Sequence, residues 1–160
     1  MEISLFEPRI PQNTGSIGRT CAAYDIVLNL IEPLGFKLED KYLKRAGLDY
    51  WHLMKINKYN HFNHFKKSKK NKRILSFSKK NGILLREFKF NYDDILLFGR
   101  EDSGLPDEVI TQCDSLISIY MPNKASEINN NNGVRSLNLS VACGIAIYEA
   151  HKQLNNINLK

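Results

Sequence analysis

Cysteine is scarce in this chain of 160 residues, and its three copies are widely spaced. Cys21, Cys113 and Cys143 are odd in number, and none of them belongs to a C-x-x-C pair. The pattern fits neither a disulfide framework nor the ligand spacing of a zinc site. We therefore expect the three cysteines to behave as small buried apolar residues.

Long apolar runs are also absent. No stretch of the chain approaches the roughly 20 residues that a membrane-spanning helix requires. The first residues, from Met1 to Pro8, have neither the basic start nor the apolar stretch of a signal peptide. We therefore expect a cytoplasmic protein that does not associate with a membrane.

Several common motifs of catalysis and binding are missing. The chain contains no G-x-G-x-x-G, P-loop or G-x-S-x-G pattern, so nothing supports an ordinary NAD or ATP site or a serine nucleophile. His61 and His64 are three residues apart, but no cysteine or carboxylate near them completes a metal-ligand set. We predict no metal site and place both histidines on a solvated helix face.

Positive charge is in excess. The formal net charge is +6 and the pI is near 9.2, a balance that favours a polyanionic partner, although a general richness in lysine and asparagine contributes to it. Six basic residues are concentrated between Lys66 and Arg73, just before the predicted strand that leads to Phe77. Two interpretations stay open for Lys69 and Lys70. They contact RNA phosphates, or they belong to a solvated face.

Short β-type runs alternate with helical patterns along the chain. The predicted strands span residues 3–6, 26–31, 74–78, 95–98 and 116–120. The predicted helices span residues 13–24, 40–46, 59–70, 106–113 and 137–154. Asn13 is the predicted N-cap of the first helix. The alternation indicates an α/β fold with a mostly parallel sheet and helices on both faces, and residues 1–160 are predicted to form a single domain.

Ligands of such a sheet bind beyond the carboxyl ends of its strands, and three segments fall there. The first, residues 11–19, has two glycines in its opening helical turns, which favour close backbone approach. The second, residues 98–106, is a glycine-bounded loop with acidic residues, and the third surrounds Ser136. Each has a plain alternative: Arg19 as a solvated surface residue, the second segment as a tight βα turn, and Ser136 as a helix cap.

Taken together, these segments resemble the motifs of the SPOUT RNA methyltransferases, and most closely the TrmL-type branch, which methylates tRNA wobble nucleotides. LFEPRIPQNTGSIGRTCAA, LLFGREDSGLP and SLNLSVACGIAIYEA are similar to the three motifs of that branch, and LIEPLGF followed by LKRAGLDYW is similar to a segment particular to it. The resemblance runs from Ile3 to Leu154 and departs from the family between Pro122 and Ser136, where an asparagine run lengthens the loop.

The resemblance implies more than the periodicity does. It implies a SPOUT fold with a C-terminal trefoil knot, an arrangement otherwise essentially absent from proteins. It also implies a homodimer that uses S-adenosyl-L-methionine. The cofactor-binding positions that match the family are Phe77, Gly99, Ile119 and Ser136. The matching catalytic positions are Arg19, Glu101 and Asn138, with Ser136 also in the active site. Tyr148 matches a position linked to tRNA handling.

The implied reaction is transfer of a methyl group to the ribose 2′-hydroxyl of cytidine or uridine at the wobble position, expected in leucine tRNAs. The partner is then the tRNA anticodon arm, and no metal is needed. Arg19 would stabilise charge on the reacting oxygen rather than accept a proton, because a guanidinium stays protonated. A phosphate, a water molecule and Glu101 stay open as the base. The alternatives are action on another RNA such as rRNA, a catalytically inactive RNA-binding module, and a generic nucleotide-binding protein.

Overall fold

The computed structural model describes residues 1–38, 48–80, 82–123 and 133–155. Within these ranges the strands are β1 (Glu2–Phe6), β2 (Val27–Ile31), β3 (Ile56–Tyr59), β4 (Ile74–Phe77), β5 (Ile83–Leu84), β6 (Ile95–Phe98) and β7 (Ser115–Ser118). The helices are α1 (Pro11–Ala23), a 3₁₀ helix (Leu48–Leu53), α2 (Phe62–Ser68), α3 (Asp107–Ile110) and α4 (Leu139–Leu154).

The strands form one parallel sheet in the order β3-β2-β1-β6-β4-β7-β5, which confirms the predicted fold class. All four residues of β6 are buried, because its alternate side chains enter cores on opposite faces of the sheet. Leu96 and Phe98 join the core that α1 and α4 cover, whereas Ile95 and Leu97 join the core that α2 and α3 cover. Helices on both faces are what a parallel sheet needs to keep its apolar strands from water.

The cysteines contribute to this packing rather than to any bridge. Cys21 and Cys143 are buried in the core beneath α1 and α4, as predicted, and Cys113 is half-buried. Burial raises the pKa of the Cys21 thiol to about 12 and that of Cys113 to about 11. Both thiols therefore stay protonated and unreactive at neutral pH.

Helix α1 begins earlier than predicted, so the assignment of Asn13 as its N-cap is wrong. The cap residue is Ile10, and Pro11 occupies the first helical position. Proline suits that position because its fixed φ is already helical and its missing N–H would have no partner there. Asn13 consequently lies inside the first turn, where its side chain is buried and available for another role.

The region predicted as a helix over residues 59–70 divides into a strand and a shorter helix. Tyr59 is the last residue of β3 and pairs with Ile31 of β2. Helix α2 then begins at Phe62 and is capped by His61, whose ring Nδ1 accepts a hydrogen bond from the backbone N–H of His64 at 3.1 Å. Phe62 and Phe65 are buried, as predicted. The strand escapes prediction because its sequence, INKY, belongs to a half-exposed edge and lacks a continuous apolar run.

Other boundaries also differ from the predicted ones. The predicted helix over residues 106–113 is only the single turn of α3. Helix α4 begins at Leu139 and is capped by Asn138, whose side-chain Oδ1 accepts from the backbone N–H of Ser140 at 2.8 Å. Ser136 therefore does not cap this helix. The two-residue strand β5 is too short to leave a recognisable sequence pattern.

Two predicted features cannot be compared with the fold. The helix over residues 40–46 and the asparagine run at residues 129–132 lie outside the described residues, and so does part of the loop on which the knot depends. Within the described ranges, no helix is both long enough and apolar enough to span a membrane.

Candidate active site

A cleft of about 390 Å³ opens at the carboxyl edge of the sheet. Its walls are the loops that follow β4, β6 and β7, the residues that precede α4, and the start of α1. Phe77, Gly99, Ile119 and Ser136, the four predicted cofactor-binding residues, all line it. The volume falls within the range of small-molecule sites. The fold thus brings together residues that lie up to 59 positions apart, from Phe77 to Ser136, at one place.

The loop after β6 forms the tightest wall of the cleft. Arg100 and Gly104 exchange backbone hydrogen bonds of 3.1 and 2.9 Å, which fold residues 99–104 back on themselves. A Cβ on Gly99 would lie 2.2 Å from the carbonyl carbon of Gly104, and Gly104 has a φ of +73°. Both positions therefore require glycine, one for close backbone approach and one for the left-handed conformation.

A polar wall joins Asn13, Glu101 and Asn138. Glu101 Oε2 accepts from the backbone N–H of Arg9 at 2.8 Å. Its Oε1 accepts from the backbone N–H of Ile10 and from Asn13 Nδ2, both at 3.1 Å. Asn13 Oδ1 then accepts from Asn138 Nδ2 at 3.0 Å. Two of the three predicted catalytic residues, Glu101 and Asn138, are thus connected through a third side chain.

This network fixes the orientation of both amides. An ionised carboxylate only accepts hydrogen bonds, so Asn13 must turn its nitrogen toward Glu101 and its oxygen toward Asn138. Asn138 must then turn its nitrogen toward Asn13, which leaves its oxygen to cap α4. Among the described residues each amide nitrogen makes one hydrogen bond, which leaves a second N–H for a ligand. The site is therefore organised before any substrate binds.

Asn13 is a site residue that sequence reasoning misses. Because asparagine is common at N-caps, its place before an apolar helical pattern favours a capping role. The available signal is Pro11, which sets the helix start two residues earlier and leaves a polar side chain inside the first turn. A buried asparagine in that position needs a partner, and the partner lies 88 residues further along the chain.

The floor of the cleft is apolar. Phe77 and Phe98, adjacent residues on β4 and β6, stack with ring centroids 4.5 Å apart and an interplanar angle of 21°. Leu105, Ile119 and Ala142 extend this surface. An apolar floor beside a polar wall suits an amphipathic ligand with a planar ring, and the adenosyl part of S-adenosylmethionine has that character. No group of three or more His, Cys, Asp and Glu side chains in the described ranges is arranged to hold a metal ion.

Arg19, the third predicted catalytic residue, lies elsewhere. It is six residues beyond Asn13, about 9 Å along the helix axis, and does not line the cleft of its own chain. Its exposed guanidinium lies over the ring of Tyr50, 4.8 Å from the centroid. Neighbouring Gly18 allows the residues after the 3₁₀ helix to approach α1, since a Cβ there would lie 2.7 Å from Met54 Sδ.

Tyr148 is also separate from the cleft. It lies on α4 with 47% of its surface exposed and borders a second, mainly apolar groove with Leu84, Ile119, Tyr120 and Ile145. Val141, Ile145 and Tyr148 are all exposed and recur at helical spacing, so α4 presents an apolar stripe to solvent.

The basic cluster of residues 66–73 does not flank the cleft. The RNA role of Lys69 and Lys70 is expected because the cluster precedes the strand that leads to Phe77, and the structure does not place it beside that residue. The cluster precedes β4 and lies at its amino end, whereas Phe77 lies at its carboxyl end, about 13 Å away along the strand. The nitrogens of Lys69 and Lys72 each lie 2.6 Å from a Glu2 oxygen. Lys70 is exposed at this edge.

Glu2 and Lys69 form a largely buried pair. Burial alone would raise the pKa of Glu2, but hydrogen bonds from Lys69, Lys72 and Asn29 outweigh it and lower the pKa to about 2. Burial opposes the charge of Lys69 as well, yet the contact with Glu2 raises its pKa. The Lys69 ammonium is therefore committed to a carboxylate inside its own chain.

The chain is similar to known RNA methyltransferases. A model of the SpoU rRNA methylase family matches residues 1–148. The putative tRNA (cytidine(34)-2′-O)-methyltransferase of Lactococcus lactis is 44% identical over 156 residues, which cover 94% of this chain and 88% of the relative. The tRNA (cytidine(34)-2′-O)-methyltransferase of Saccharophagus degradans is 41% identical over 155 residues, which cover 95% of this chain and 94% of the relative.

Solved structures give the same result. A structure from work on the 2-OH methylation of C/U34 on tRNA superposes with a TM-score of 0.89 at 42% identity, and the match covers 97% of this chain and 96% of that chain. The SpoU methyltransferase AviRb from Streptomyces viridochromogenes, in complex with AdoMet, superposes with a TM-score of 0.84. At 22% identity, covering 97% of this chain and 58% of that chain, AviRb supports the fold alone.

Proposed function

The chain belongs to the SpoU rRNA methylase family, and we propose that it is an S-adenosylmethionine-dependent methyltransferase of the ribose 2′-hydroxyl of nucleotide 34 in tRNA. Relatives of nearly equal length that carry this name support the substrate. The acceptor is cytidine or uridine, and the resemblance favours leucine tRNAs. Because tRNA is the substrate, the enzyme works in the cytoplasm, with residues 1–160 acting as one domain.

The observation that carries the proposal is the wall of Asn13, Glu101 and Asn138 above an apolar floor. Both asparagines have a spare amide N–H, and each can donate to a ribose hydroxyl oxygen and hold it in place. Within the described ranges three N–H donors hold Glu101, two at Oε1 and one at Oε2. That oxygen has the capacity to accept the proton of the hydroxyl, so Glu101 is the candidate base within the cleft.

Phe77, Gly99, Ile119 and Ser136 are the residues that would hold the cofactor. When bound, S-adenosylmethionine supplies the methyl group as a sulfonium substituent. The role of the protein is to bind the ribose, orient its oxygen and exclude water, and alignment alone can contribute roughly 7–11 kcal/mol in favourable cases. The tight loop of residues 99–104 lets backbone groups approach the ligand closely.

Arg19 completes the site only if a second subunit contributes it. In the described part of the chain Arg19 is exposed on α1 and absent from the lining of its own cleft. The enzyme is therefore proposed to be a homodimer in which Arg19 of the partner subunit reaches the reacting oxygen and stabilises its negative charge. A two-fold dimer creates two equivalent sites of this kind.

The exposed stripe of Val141, Ile145 and Tyr148 supports the same dimer. It lies on α4, which packs beside α1, the helix that carries Arg19, on one face of the sheet. A contiguous exposed apolar surface of this kind is typical of a subunit interface. Tyr148 would then lie near the bound tRNA at the edge of the interface.

Ribosomal RNA is a second candidate substrate, because the matching family model is described as rRNA methylase. The purified chain should be incubated with S-adenosylmethionine and either tRNA or ribosomal RNA, followed by mass spectrometry of the nucleosides. We expect a 2′-O-methylated nucleotide 34 in tRNA and none with Asn138→Ala. Methylation of ribosomal RNA alone would favour the second candidate, and no transfer by a folded, cofactor-binding chain would contradict both.

A further inference from the structure

We propose that Arg9 and Arg100 form a binding site for a phosphodiester of the RNA substrate at the rim of the cleft. The inference rests on the proposed function and adds to it the residues that hold the RNA backbone. Arg9 follows β1 and Arg100 follows β6, and these neighbouring strands both end at the carboxyl edge of the sheet. Arg100 also lines the cleft.

Both guanidinium groups converge on a single carboxylate oxygen. Arg9 Nη2 lies 3.1 Å from Glu7 Oε2, and Arg100 Nη1 lies 3.4 Å from the same atom. One carboxylate balances only one of the two positive charges. Asp102 contacts Arg100 as well, but its side chain is 60% exposed, so solvent screens that pair. Glu101 is also close, but it accepts from the backbone N–H of Arg9 and not from its guanidinium, so the two guanidinium groups share Glu7 and can still donate to a further anion.

The hydrogen-bonding capacity of the arginines is also unfilled. Arg9 Nε and Arg100 Nε are buried and have no hydrogen-bond partner among the described residues. Arg100 Nε lies 3.3 Å from Oδ1 of the exposed Asp102, an ion pair that solvent screens. Buried donors without partners are rare in native proteins and call for a ligand or another explanation. Guanidinium groups donate well to phosphate oxygens, often through two N–H groups at once.

The backbone holds this site in place before a ligand arrives. The N–H of Arg9 donates to Glu101, and the carbonyl of Pro8 accepts from the N–H of Gly35 at 2.9 Å. A Cβ on Gly35 would lie 2.7 Å from the Cα of Arg9, so the β2 loop packs directly on this backbone. Glu7 has a φ of +48°, a strained conformation of the kind that concentrates at functional sites.

The proposed acceptor identifies the anion. A ribose 2′-hydroxyl lies on the carbon next to the one that bears the 3′-phosphodiester, so a ribose in the cleft brings a phosphate to the rim. The carboxylate of the cofactor's methionine part is the other anion that could reach Arg100. If the anion is the RNA phosphodiester, RNA affinity depends on the arginines. If it is the carboxylate of the cofactor, cofactor affinity depends on them.

The test compares Arg9→Gln with the wild type, using an anticodon stem-loop RNA and fluorescence anisotropy across a salt series. We expect about tenfold weaker binding, the scale for one hydrogen-bonded charge contact. The slope of log affinity against log salt should flatten by about 0.7. Arg9→Lys should restore the slope. Lys55→Gln is the matched control, because it removes an exposed positive charge from the amino edge of the sheet.

Calorimetry with S-adenosylhomocysteine separates the two anions, and Arg9→Gln should bind this product as the wild type does. A slope that does not change, or that changes equally in Lys55→Gln, would overturn the inference. Weaker product binding with unchanged RNA binding would assign the arginines to the cofactor instead. If the wild-type chain itself neither bound nor methylated tRNA, the proposed function would fail, a result distinct from failure of Arg9→Gln alone.

Discussion

The two edges of the sheet use the same kinds of residue for different purposes. At the amino edge, Glu2 accepts from Lys69, Lys72 and Asn29, and the buried Asp94 accepts two hydrogen bonds from Arg73. At the carboxyl edge, Arg9 and Arg100 share Glu7 and keep buried donors without partners in the described structure. Charged clusters alone therefore do not locate a site. The proposed phosphate site differs from the amino-edge cluster in its unfilled hydrogen-bonding capacity beside the cleft.

The backbone distinguishes the two edges less clearly than the charges do. The carboxyl edge contains Glu7 and Gly104 at positive φ, and Gly99 where no Cβ would fit. The amino edge instead continues a regular polar row, in which Asn29 donates to Ser4 at 3.2 Å and accepts from Asn57 at 3.1 Å across paired strands. Positive φ by itself does not separate the edges, because Asp25, just before β2 at the amino edge, also has a φ of +54°.

The largest expected effect comes from Arg19→Ala. Turnover should fall at least ~100-fold, the scale for loss of one preorganised group that stabilises charge in the transition state. Affinity for S-adenosylhomocysteine should be nearly unchanged, because Arg19 does not line the cleft of its own chain. Steady-state kinetics and calorimetry measure the two quantities. A decrease smaller than tenfold would return Arg19 to the solvated-surface interpretation.

Mixing two inactive variants tests whether Arg19 of one subunit acts in the cleft of the other. If Arg19 acts across a dimer, Arg19→Ala and Asn13→Ala should complement one another when they are refolded together. Random pairing makes half of the dimers mixed, and each mixed dimer has one complete site, so about one quarter of wild-type activity should return. Light scattering should give a mass near twice 18.4 kDa. No recovery from a confirmed mixed dimer would contradict action across the interface.

At the amino edge, Glu2→Gln should reduce stability by about 2 kcal/mol, because it leaves the Lys69 charge buried without its carboxylate partner. Activity per folded molecule should not change. The pKa of Glu2 is about 2 in the folded chain against an ordinary value of 4.5, so its stabilisation is present above pH 4.5 and disappears as pH falls through about 2.

Chemical denaturation at a series of pH values measures this effect. The free energy of unfolding of the wild type should decrease by up to about 3 kcal/mol more than that of Glu2→Gln as pH falls from 4.5 to 2. Asp25→Asn is the control, because the Asp25–Lys55 pair is exposed and should contribute less than about 1 kcal/mol. Equal pH dependence in the wild type and Glu2→Gln would show that the amino edge does not depend on this pair.

A smaller effect is expected at Tyr50, whose ring lies under Arg19. Tyr50→Leu should reduce turnover about fivefold, the scale of an exposed cation–π contact, because the Arg19 guanidinium loses the aromatic ring that holds it in position. Tyr50→Phe retains the ring and should retain activity. The KM for tRNA and the affinity for cofactor should change little in either variant. Equal activity of Tyr50→Leu and wild type would show that Arg19 needs no such support.

The sequence predicts the fold better than it predicts the site. The parallel sheet and the buried positions of β6 follow from short apolar runs between helices. The motifs name Phe77, Gly99, Ile119 and Ser136, and the fold brings these four residues to one cleft. Asn13 escapes prediction because its partner lies 88 residues away. Lys69 is close to Phe77 in the sequence, but the whole of β4 separates Lys69 from the cleft. Local patterns do not specify such long-range contacts.

The smallest effect is expected from Lys70→Ala. The position of Lys69 and Lys70 in the sequence, just before the strand that leads to the cleft, predicts a place near the anticodon. The structure places them at the opposite edge, where Lys69 is held by Glu2 and only Lys70 of the two is exposed.

Removing one lysine–phosphate interaction on single-stranded RNA should flatten the slope of log affinity against log salt by about 0.7. We expect no such change for Lys70→Ala when anticodon stem-loop binding is measured across a salt series, whereas Arg9→Gln should show it. A flattening in Lys70→Ala as large as that in Arg9→Gln would mean that the RNA extends across both edges of the sheet, and that the amino edge binds substrate as well as stabilising the fold.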